Sequence, residues 1–433
     1  MAIAAPNTSR TTSVSEPSAS YAAPLAIVTT LFFMWGFLTC LNDILVPHLK
    51  PIFDLNYTQI MLIQFAFFGA YFLFSIPSAK IIDWIGYQRS MVVGLLTMGL
   101  GAFLFVPAAS VPSYPLFLMA LIVLAAGITC LQVAANPYVT VLGKSETASS
   151  RLNLTQAFNS LGTFLAPFFG GLLILSAAPK TMEEIRALAP DALQAYRLHE
   201  AATVKLPYIG LGIALVLLAI AIGSFKLPKI PHAQHQAGEK VNDSIWNHPN
   251  LIFGAIAIFV YVGAEVSIGS FLVNYFSQPE IGGFTEKVAA SFVAFYWGGA
   301  MVGRFIGSAL LQKMTTGRLL GICAVCAAAL VTISMLSTGH FAMWSIILVG
   351  LFNSIMFPSI FTLGVAELGP LTGDGSGIMI MAIVGGALIP LAQGAVADRI
   401  GIHHAFFLPV ICYLYILFFA LSGSKPNSKR ALT

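Results

Sequence analysis

Two carboxylates lie inside long apolar stretches of the 433-residue sequence, where a charged group is costly. Asp43 follows Asn42 within Pro24–Pro47, and Glu265 lies about 14 residues into a run of about 26. A carboxylate in lipid costs about 2.5–3.5 kcal/mol on insertion scales, so it should face a partner or a wet cavity. Either acid could carry a proton, and Asp43 with Asn42 offers oxygen ligands for sodium. We predict both acids to be coupling residues, with Asp43 as a possible Na⁺ ligand. The structural alternative is an ion pair, for instance with Arg304.

Amide side chains also interrupt the apolar stretches, and amides can hydrogen-bond sugar hydroxyls. Sites for small solutes are mostly apolar with a few placed polar groups. The predicted substrate-binding residues are Asn42, Gln64, Gln132, Asn136, Gln156, Asn159, Trp297 and Asn353. Trp297 would supply a flat face for stacking, although aromatic residues more often simply pack. Each amide could instead join two helices, at about 0.6–2 kcal/mol per contact.

The composition identifies the elements that must hold these residues. The chain is 58% hydrophobic and 9% charged, with a mean hydropathy of +0.86, whereas a soluble domain is about 25% charged. This excludes a soluble fold, and basic residues scattered through loops exclude a nucleic-acid partner. We predict an all-α membrane protein of twelve transmembrane helices in two pseudo-symmetric six-helix bundles. The spans are 23–46, 57–82, 89–109, 114–142, 151–176, 206–226, 249–276, 287–312, 318–337, 341–366, 376–398 and 402–421.

The loops predict domain limits and orientation. A tail (1–22) precedes the first bundle (23–226), a polar linker (227–247) joins the second bundle (248–421), and a tail (422–433) follows. The loop between the fifth and sixth spans should form a short amphipathic helix. If both termini are cytoplasmic, that side carries 14 of the 21 Lys and Arg residues. The positive-inside rule therefore places both termini in the cytoplasm.

An internal repeat relates the two bundles. The pattern P-x4-L-G occurs at Pro137 and again 221 residues later, and G-x4-P-x3-G occurs at Gly162 and again 223 residues later. The same offset relates Asp43 to Glu265 and Gln132 to Asn353. Two such halves are typical of major-facilitator-type transporters, with the solute site between them near mid-membrane. The repeat therefore favours a ligand role for both amides of the second pair.

Charged residues near the predicted cytoplasmic ends of helices are candidates for gating. Asp83 and Arg89 belong to Lys80-Ile-Ile-Asp-Trp-Ile-Gly-Tyr-Gln-Arg89, a degraded form of the major-facilitator loop motif with Ala79 in place of a glycine. Arg304 lies in Gly303-Arg-Phe-Ile-Gly307. Such charges can form ion pairs in one state and lose them in the other.

Several stretches resemble the fucose–hexose symporter family of the major facilitator superfamily, and some resemble its glucose/galactose transporter branch. They are Asn42–Pro47, Ala134–Pro137, Gln156–Asn159, Val260–Gly269, Asn353–Pro358, Gly375–Ile378 and Met381–Pro390. The resemblance implies hexose uptake across the bacterial inner membrane, driven by a cation gradient, Na⁺ or H⁺, with Asp43 essential and Gln156 and Asn159 near the sugar. The fucose–proton members carry Glu where this chain has Gln132, and an amide cannot titrate.

The remaining expectations follow from this assignment. The chain should not be an enzyme, should need no cofactor beyond the co-transported ion, and should act as a monomer in lipid. Alternatives are proton-coupled uptake of fucose or N-acetylglucosamine, and a membrane sugar sensor that binds without transport. Exchange of labelled hexose across liposomes separates transport from sensing.

Overall fold

The structure is a computed structural model that describes residues 21–53, 57–111, 113–173, 187–228 and 243–425. Within these ranges the side chains at 39–62, 64, 167–173, 200–201 and 286–287 are not described. Every regular element in this part of the chain is helical. Three sequence-predicted site residues, Asn42, Asp43 and Gln64, lie outside the described side chains, as do most of both tails and of the linker.

Helices match the twelve predicted spans. They are α1, Ala22–Phe53; α2 (57–85) and α3 (87–110), the two arms of Tyr57–Ser110; α4, Tyr114–Val141; α5, Ala148–Leu173; α6, Lys205–Ser224; α7, Pro249–Phe276; α8, Glu286–Leu310; α9, Thr316–Leu336; α10, Gly339–Asn353 with Met356–Gly364; α11, Thr372–Met381 with Gly385–Ile400; and α12, Ile402–Ala405 with Phe407–Phe418. Nine helical stretches of the described residues are long and apolar enough to cross a membrane, α2 and α3 counting as one.

A glycine separates α2 from α3. Gly86 has φ 80° and ψ 168°, inside an otherwise continuous helix. A positive φ is strained for residues with a Cβ, and glycine adopts it readily. The chain therefore turns at Gly86, between the spans predicted at 57–82 and 89–109.

The amphipathic helix expected between the fifth and sixth spans is present as Pro190–Thr203. It is much less apolar than the spans because the charged or polar residues Asp191, Arg197, His199 and Glu200 interrupt it. The helix therefore belongs to a connecting segment rather than to a membrane span.

The internal repeat has a structural counterpart in the packing of each bundle. A Cβ at Gly162 of α5 would lie 2.2 Å from the carbonyl oxygen of Phe33 in α1. A Cβ at Gly385 of α11 would lie 2.0 Å from the carbonyl oxygen of Phe259 in α7. Small residues let membrane helices approach this closely. The repeated glycines thus bring the fifth helix of each half onto the first helix of the same half.

The tenth span is interrupted where it carries a predicted site residue. Its first segment ends at Asn353, and a second segment begins at Met356. The last carbonyls of a helical segment lack partners within the helix and need other donors. In a membrane such a break is stable only where neighbouring groups supply those donors. Here Tyr261 and Arg304 supply them.

Candidate solute site between the two halves

Glu265 of α7 lies beside a buried tyrosine cluster, which we define as Tyr261, Tyr296 and Tyr413. The three hydroxyl-bearing rings come from α7, α8 and α12, and each is fully buried. Tyr261 precedes Glu265 by one helical turn, so both lie on one face of α7. The Tyr261 hydroxyl approaches the Glu265 carboxylate. The acid predicted near mid-membrane is therefore surrounded by polar groups of the second half.

Asn353 holds the tyrosine cluster together. Its amide nitrogen donates to the Tyr296 hydroxyl at 2.9 Å, and its side-chain oxygen accepts from Tyr413 at 2.8 Å. Its main-chain carbonyl, left free by the break in α10, accepts from Tyr261 at 3.0 Å. The Tyr296 hydroxyl donates in turn to the main-chain oxygen of Glu265 at 3.2 Å. Asn353 is fully buried, and both polar groups of its side chain have protein partners.

Gln132 of α4 makes the corresponding contact in the first half. Its amide nitrogen donates to the hydroxyl of Tyr71 in α2 at 2.7 Å. Tyr71 and Tyr296 are 225 residues apart, and α2 and α8 are the second helices of their halves. The amide–tyrosine pair is thus repeated, as the sequence offset between Gln132 and Asn353 predicts.

The two halves differ in what they leave for a ligand. The Gln132 side-chain oxygen is buried and has no hydrogen-bond partner among the described residues, and the same holds for the amide nitrogen of Asn136 one turn later. Gln156 of α5 donates to the Asn136 side-chain oxygen at 3.5 Å. A free acceptor and a free donor one turn apart can bind neighbouring hydroxyls of a sugar. Buried polar atoms without partners are uncommon in proteins, which supports a ligand role for this side of the site.

Asn159 has a different surrounding. Its amide nitrogen donates to the main-chain oxygen of Phe32 in α1 at 2.9 Å. A Cβ at Gly36 of α1 would lie 2.1 Å from the Asn159 carbonyl oxygen, so the two helices are in close contact here. In this conformation the Asn159 amide joins α5 to α1, the alternative that the sequence left open for every amide.

Trp297 of α8 lies one turn from Glu265 across the helix pair. Its indole covers Gly269 of α7, where a Cβ would lie 2.9 Å from the ring. The ring meets that of Tyr296 edge to face at a centroid distance of 5.1 Å. Trp297 is 41% exposed, and it precedes Arg304 by seven residues, so both lie on one stripe of α8. Because Arg304 contacts the other half, Trp297 faces the space between the halves.

Hydrogen bonds between α5 and α8 join the halves below this space. Ser150 donates to the main-chain oxygen of Ser308 at 2.7 Å, and Asn153 donates to the main-chain oxygen of Arg304 at 2.6 Å. The Arg304 guanidinium donates to the Ser160 hydroxyl. It also donates to the main-chain oxygen of Ser354 in α10 at 3.3 Å, the second carbonyl freed by the break. Arg304, predicted as a gating residue, therefore bridges the halves.

Other contacts complete this seam, and we call this end of the molecule the sealed end. Ser149 of α5 bonds to the Thr362 hydroxyl at 2.6 Å and accepts from Thr316 at 2.8 Å. Ser376 of α11 donates to the main-chain oxygen of Val133 in α4 at 2.9 Å.

The first predicted gating pair is divided by the structure. An Asp83 carboxylate oxygen lies 3.4 Å from the position that a Cβ on Gly373 would occupy, in the first turn of α11. A negative charge stabilises a helix N-terminus, so Asp83 of the first half supports α11 of the second. Arg89 lies beyond the Gly86 break and is exposed.

Sequence reasoning did not identify the seam serines or the tyrosine cluster. The 225-residue offset from Tyr71 to Tyr296 could have revealed one tyrosine. Among the described residues, no group of three or more His, Cys, Asp or Glu side chains is placed to hold a metal, and the possible sodium ligand Asp43 lies outside the described side chains.

Two repeated helical bundles that meet at one end, with polar side chains facing a space between them, define a multi-pass membrane transporter. The chain belongs to the Major Facilitator Superfamily, whose family model matches residues 25–383. The predicted all-helical major-facilitator fold is confirmed, and membership in a transporter family agrees with the prediction that the chain is not an enzyme.

The relatives and solved structures agree over nearly the whole chain. A glucose/galactose transporter of Brucella abortus is 55% identical over 406 residues, covering 94% of this chain and 95% of that protein. An L-fucose-proton symporter of Escherichia coli is 36% identical, covering 94% of each. A crystal structure of the Escherichia coli fucose:proton symporter has a TM-score of 0.87 at 34% identity, covering 94% of this chain and 100% of that one. A structure of that transporter in the outward conformation has a TM-score of 0.86, covering 94% of this chain and 99% of that one.

Proposed function

We propose that the chain imports a hexose of the glucose/galactose type across the bacterial inner membrane by cation symport. The 55% identity to a glucose/galactose transporter over 94% of the chain carries the proposal. The buried free acceptor of Gln132 and free donor of Asn136 support it, because they suit neighbouring sugar hydroxyls. Trp297, exposed toward the space between the halves, offers an apolar face for the sugar ring.

The proposal separates ligand residues from positioning residues. Gln132, Asn136 and Gln156 bind the sugar from the first half, and Trp297 binds it from the second. Asn353 acts indirectly, because both ends of its amide are occupied by tyrosines. Asn42, Asp43 and Gln64 remain sequence predictions for the first half, with Asp43 a coupling residue.

Orientation follows from the charge distribution of the loops. With both termini cytoplasmic, the sealed end faces the cytoplasm, since α5 begins there and α8 ends there. The conformation is then open toward the outside, as in the solved relative in the outward conformation. The protein acts as a monomer surrounded by lipid, and it needs no cofactor other than the co-transported cation.

Reconstituted transport tests the proposal. Purified protein in liposomes loaded with unlabelled glucose should take up labelled glucose by exchange, and galactose should compete. Labelled fucose and N-acetylglucosamine supply the alternative substrates. Matched liposomes with Gln132→Ala should lose exchange, whereas Gln278→Ala, in the turn after α7, should retain it. Saturable sugar binding without exchange in the wild type would identify a sensor and contradict transport.

A further inference from the structure

The hydrogen bonds around Glu265 also identify the coupled ion. Resting on the proposed function, we infer that Glu265 carries the transported proton: it is protonated in the present conformation, and it becomes the ion-pair partner of Arg304 when the sealed end opens. The second half would thereby contribute a proton site in place of the acid that Gln132 lacks.

Counting hydrogens at the tyrosine cluster gives the first step. A tyrosine hydroxyl has one hydrogen to donate. Tyr261 and Tyr296 each donate to a main-chain carbonyl, which can only accept, and Tyr413 donates to the Asn353 side-chain oxygen. No tyrosine hydrogen of the cluster is left for Glu265. The Tyr261 oxygen beside the carboxyl can then only accept, so the hydrogen between them belongs to Glu265.

The absence of a close cation gives the second step. Among the described residues, the charged group that faces Glu265 is Arg304, and the titratable groups are the three tyrosines of the cluster. Arg304 and Glu265 do not form an ion pair within the 4.0 Å limit. The Arg304 guanidinium instead donates to Ser160 and to the carbonyl of Ser354. One Glu265 carboxyl oxygen is buried and has no hydrogen-bond partner in the described part. An ionised carboxylate left in this state would be strongly disfavoured, whereas a neutral carboxyl needs one acceptor and has it.

Opening of the sealed end changes the surroundings of Arg304. Ser160 belongs to the first half and Glu265 and Arg304 to the second. Separation of the halves removes the Ser160 hydroxyl and leaves a guanidinium that cannot lose its charge. Glu265 can neutralise it by releasing its proton to water on the newly open side. The proton enters from water on the first side, is carried on a carboxyl oxygen, and leaves as Arg304 and Glu265 pair.

Proton and sugar fluxes in the same liposomes test this inference. In sodium-free buffer, adding glucose outside wild-type liposomes should make the outer medium more alkaline, and a pH difference of about one unit should drive about tenfold accumulation. Glu265→Gln mimics the protonated carboxyl, so it should exchange labelled glucose yet move no protons and accumulate nothing. Glu280→Gln removes an exposed carboxylate after α7 and should behave as wild type.

Sugar-driven proton uptake that persists in Glu265→Gln would overturn the inference and leave sugar transport standing. Wild-type exchange that accumulates sugar only with sodium would do the same. Absence of wild-type exchange for every sugar would overturn the proposed function itself, and the inference with it.

A second variant gives the sign of the hydrogen bond and keeps the carboxyl. Because Tyr261 accepts from neutral Glu265, Tyr261→Phe should shift half-maximal proton-driven uptake toward lower pH, by about 0.5–1 pH unit. Tyr275→Phe removes a buried hydroxyl of α7 that bonds to Ser334 and His403 instead, and it should cause no shift. A shift toward higher pH in Tyr261→Phe would mean that Tyr261 donates to an ionised Glu265, and it would refute the assignment.

Discussion

The seam between the halves consists mostly of serine hydroxyls, so its contribution to the conformational equilibrium can be worked out. Three serines make four hydrogen bonds across the seam: Ser149 to Thr362 and from Thr316, Ser150 to Ser308, and Ser376 to Val133. Interhelical hydrogen bonds in membranes average about 0.6 kcal/mol. Replacing all three serines by alanine should therefore destabilise the sealed end by about 2.4 kcal/mol, a shift of about 60-fold toward the state in which this end is open.

Alanine is a suitable replacement because each serine loses only its hydroxyl. Ser149, Ser150 and Ser376 are all buried, so the helices retain their packing while the bonds are lost. A matched control replaces Ser90, Ser277 and Ser345, whose hydroxyls donate to carbonyls of their own helices. The control also removes three hydroxyls, but none of them joins the halves.

Distance measurements between spin labels report the equilibrium directly. Labels at Lys144 and Lys313 lie in loops at the sealed end, one in each half, on a background without the five native cysteines. The seam variant should populate a longer distance than wild type, and the control should not. Equal distance distributions in wild type and seam variant, or equal lengthening in seam variant and control, would refute the role assigned to these hydrogen bonds.

Three further predictions test other parts of the structure. Trp297→Ala should raise the sugar concentration for half-maximal exchange about 3- to 10-fold through loss of the stacking face, whereas Trp246→Ala, at a residue 77% exposed before α7, should leave it unchanged. Gly385→Val places a Cβ 2.0 Å from a carbonyl oxygen of α7 and should destabilise the protein by about 1–3 kcal/mol in thermal unfolding, whereas Gly210→Val has open space and should not. Asp83→Asn removes the charge at the α11 N-terminus and should favour the open sealed end about 2- to 5-fold in the spin-label assay.

Sequence periodicity and the internal repeat predict much of this fold. Membrane spans are set by length and hydropathy, which the sequence displays directly. The 221-residue offset also places Gln132 and Asn353 at equivalent positions, and the structure gives each a tyrosine partner from the second helix of its half. Equivalence of position did not extend to equivalence of role, because Tyr413 occupies the Asn353 side-chain oxygen and no described residue occupies that of Gln132.

The seam and the tyrosine cluster were beyond sequence reasoning for a physical reason. A serine inside an apolar helix is compatible with a bond to its own helix, as at Ser90, or with a bond to another half, as at Ser150. The choice depends on the rotation of two helices about their axes, which the type of residue does not encode. Arg304 shows the intermediate case. Its charge marked it as functional, but its partners are hydroxyl and carbonyl oxygens rather than the predicted ion pair.

The pairing of α5 with α8 explains how one helix pair can serve both ends of an alternating transporter. Ser150 bonds to Ser308 and Asn153 to Arg304, so a step along α5 is matched by a step back along α8, as in antiparallel helices. The same stripes continue to Phe164 and Trp297, which are 48% and 41% exposed, so the helices diverge beyond Arg304. A rocking motion that brings these aromatic residues together must separate the seam serines, because both sets lie on the same two helices. Arg304 is located where the helices begin to diverge, and the proton on Glu265 is therefore linked to the contact that such a motion breaks.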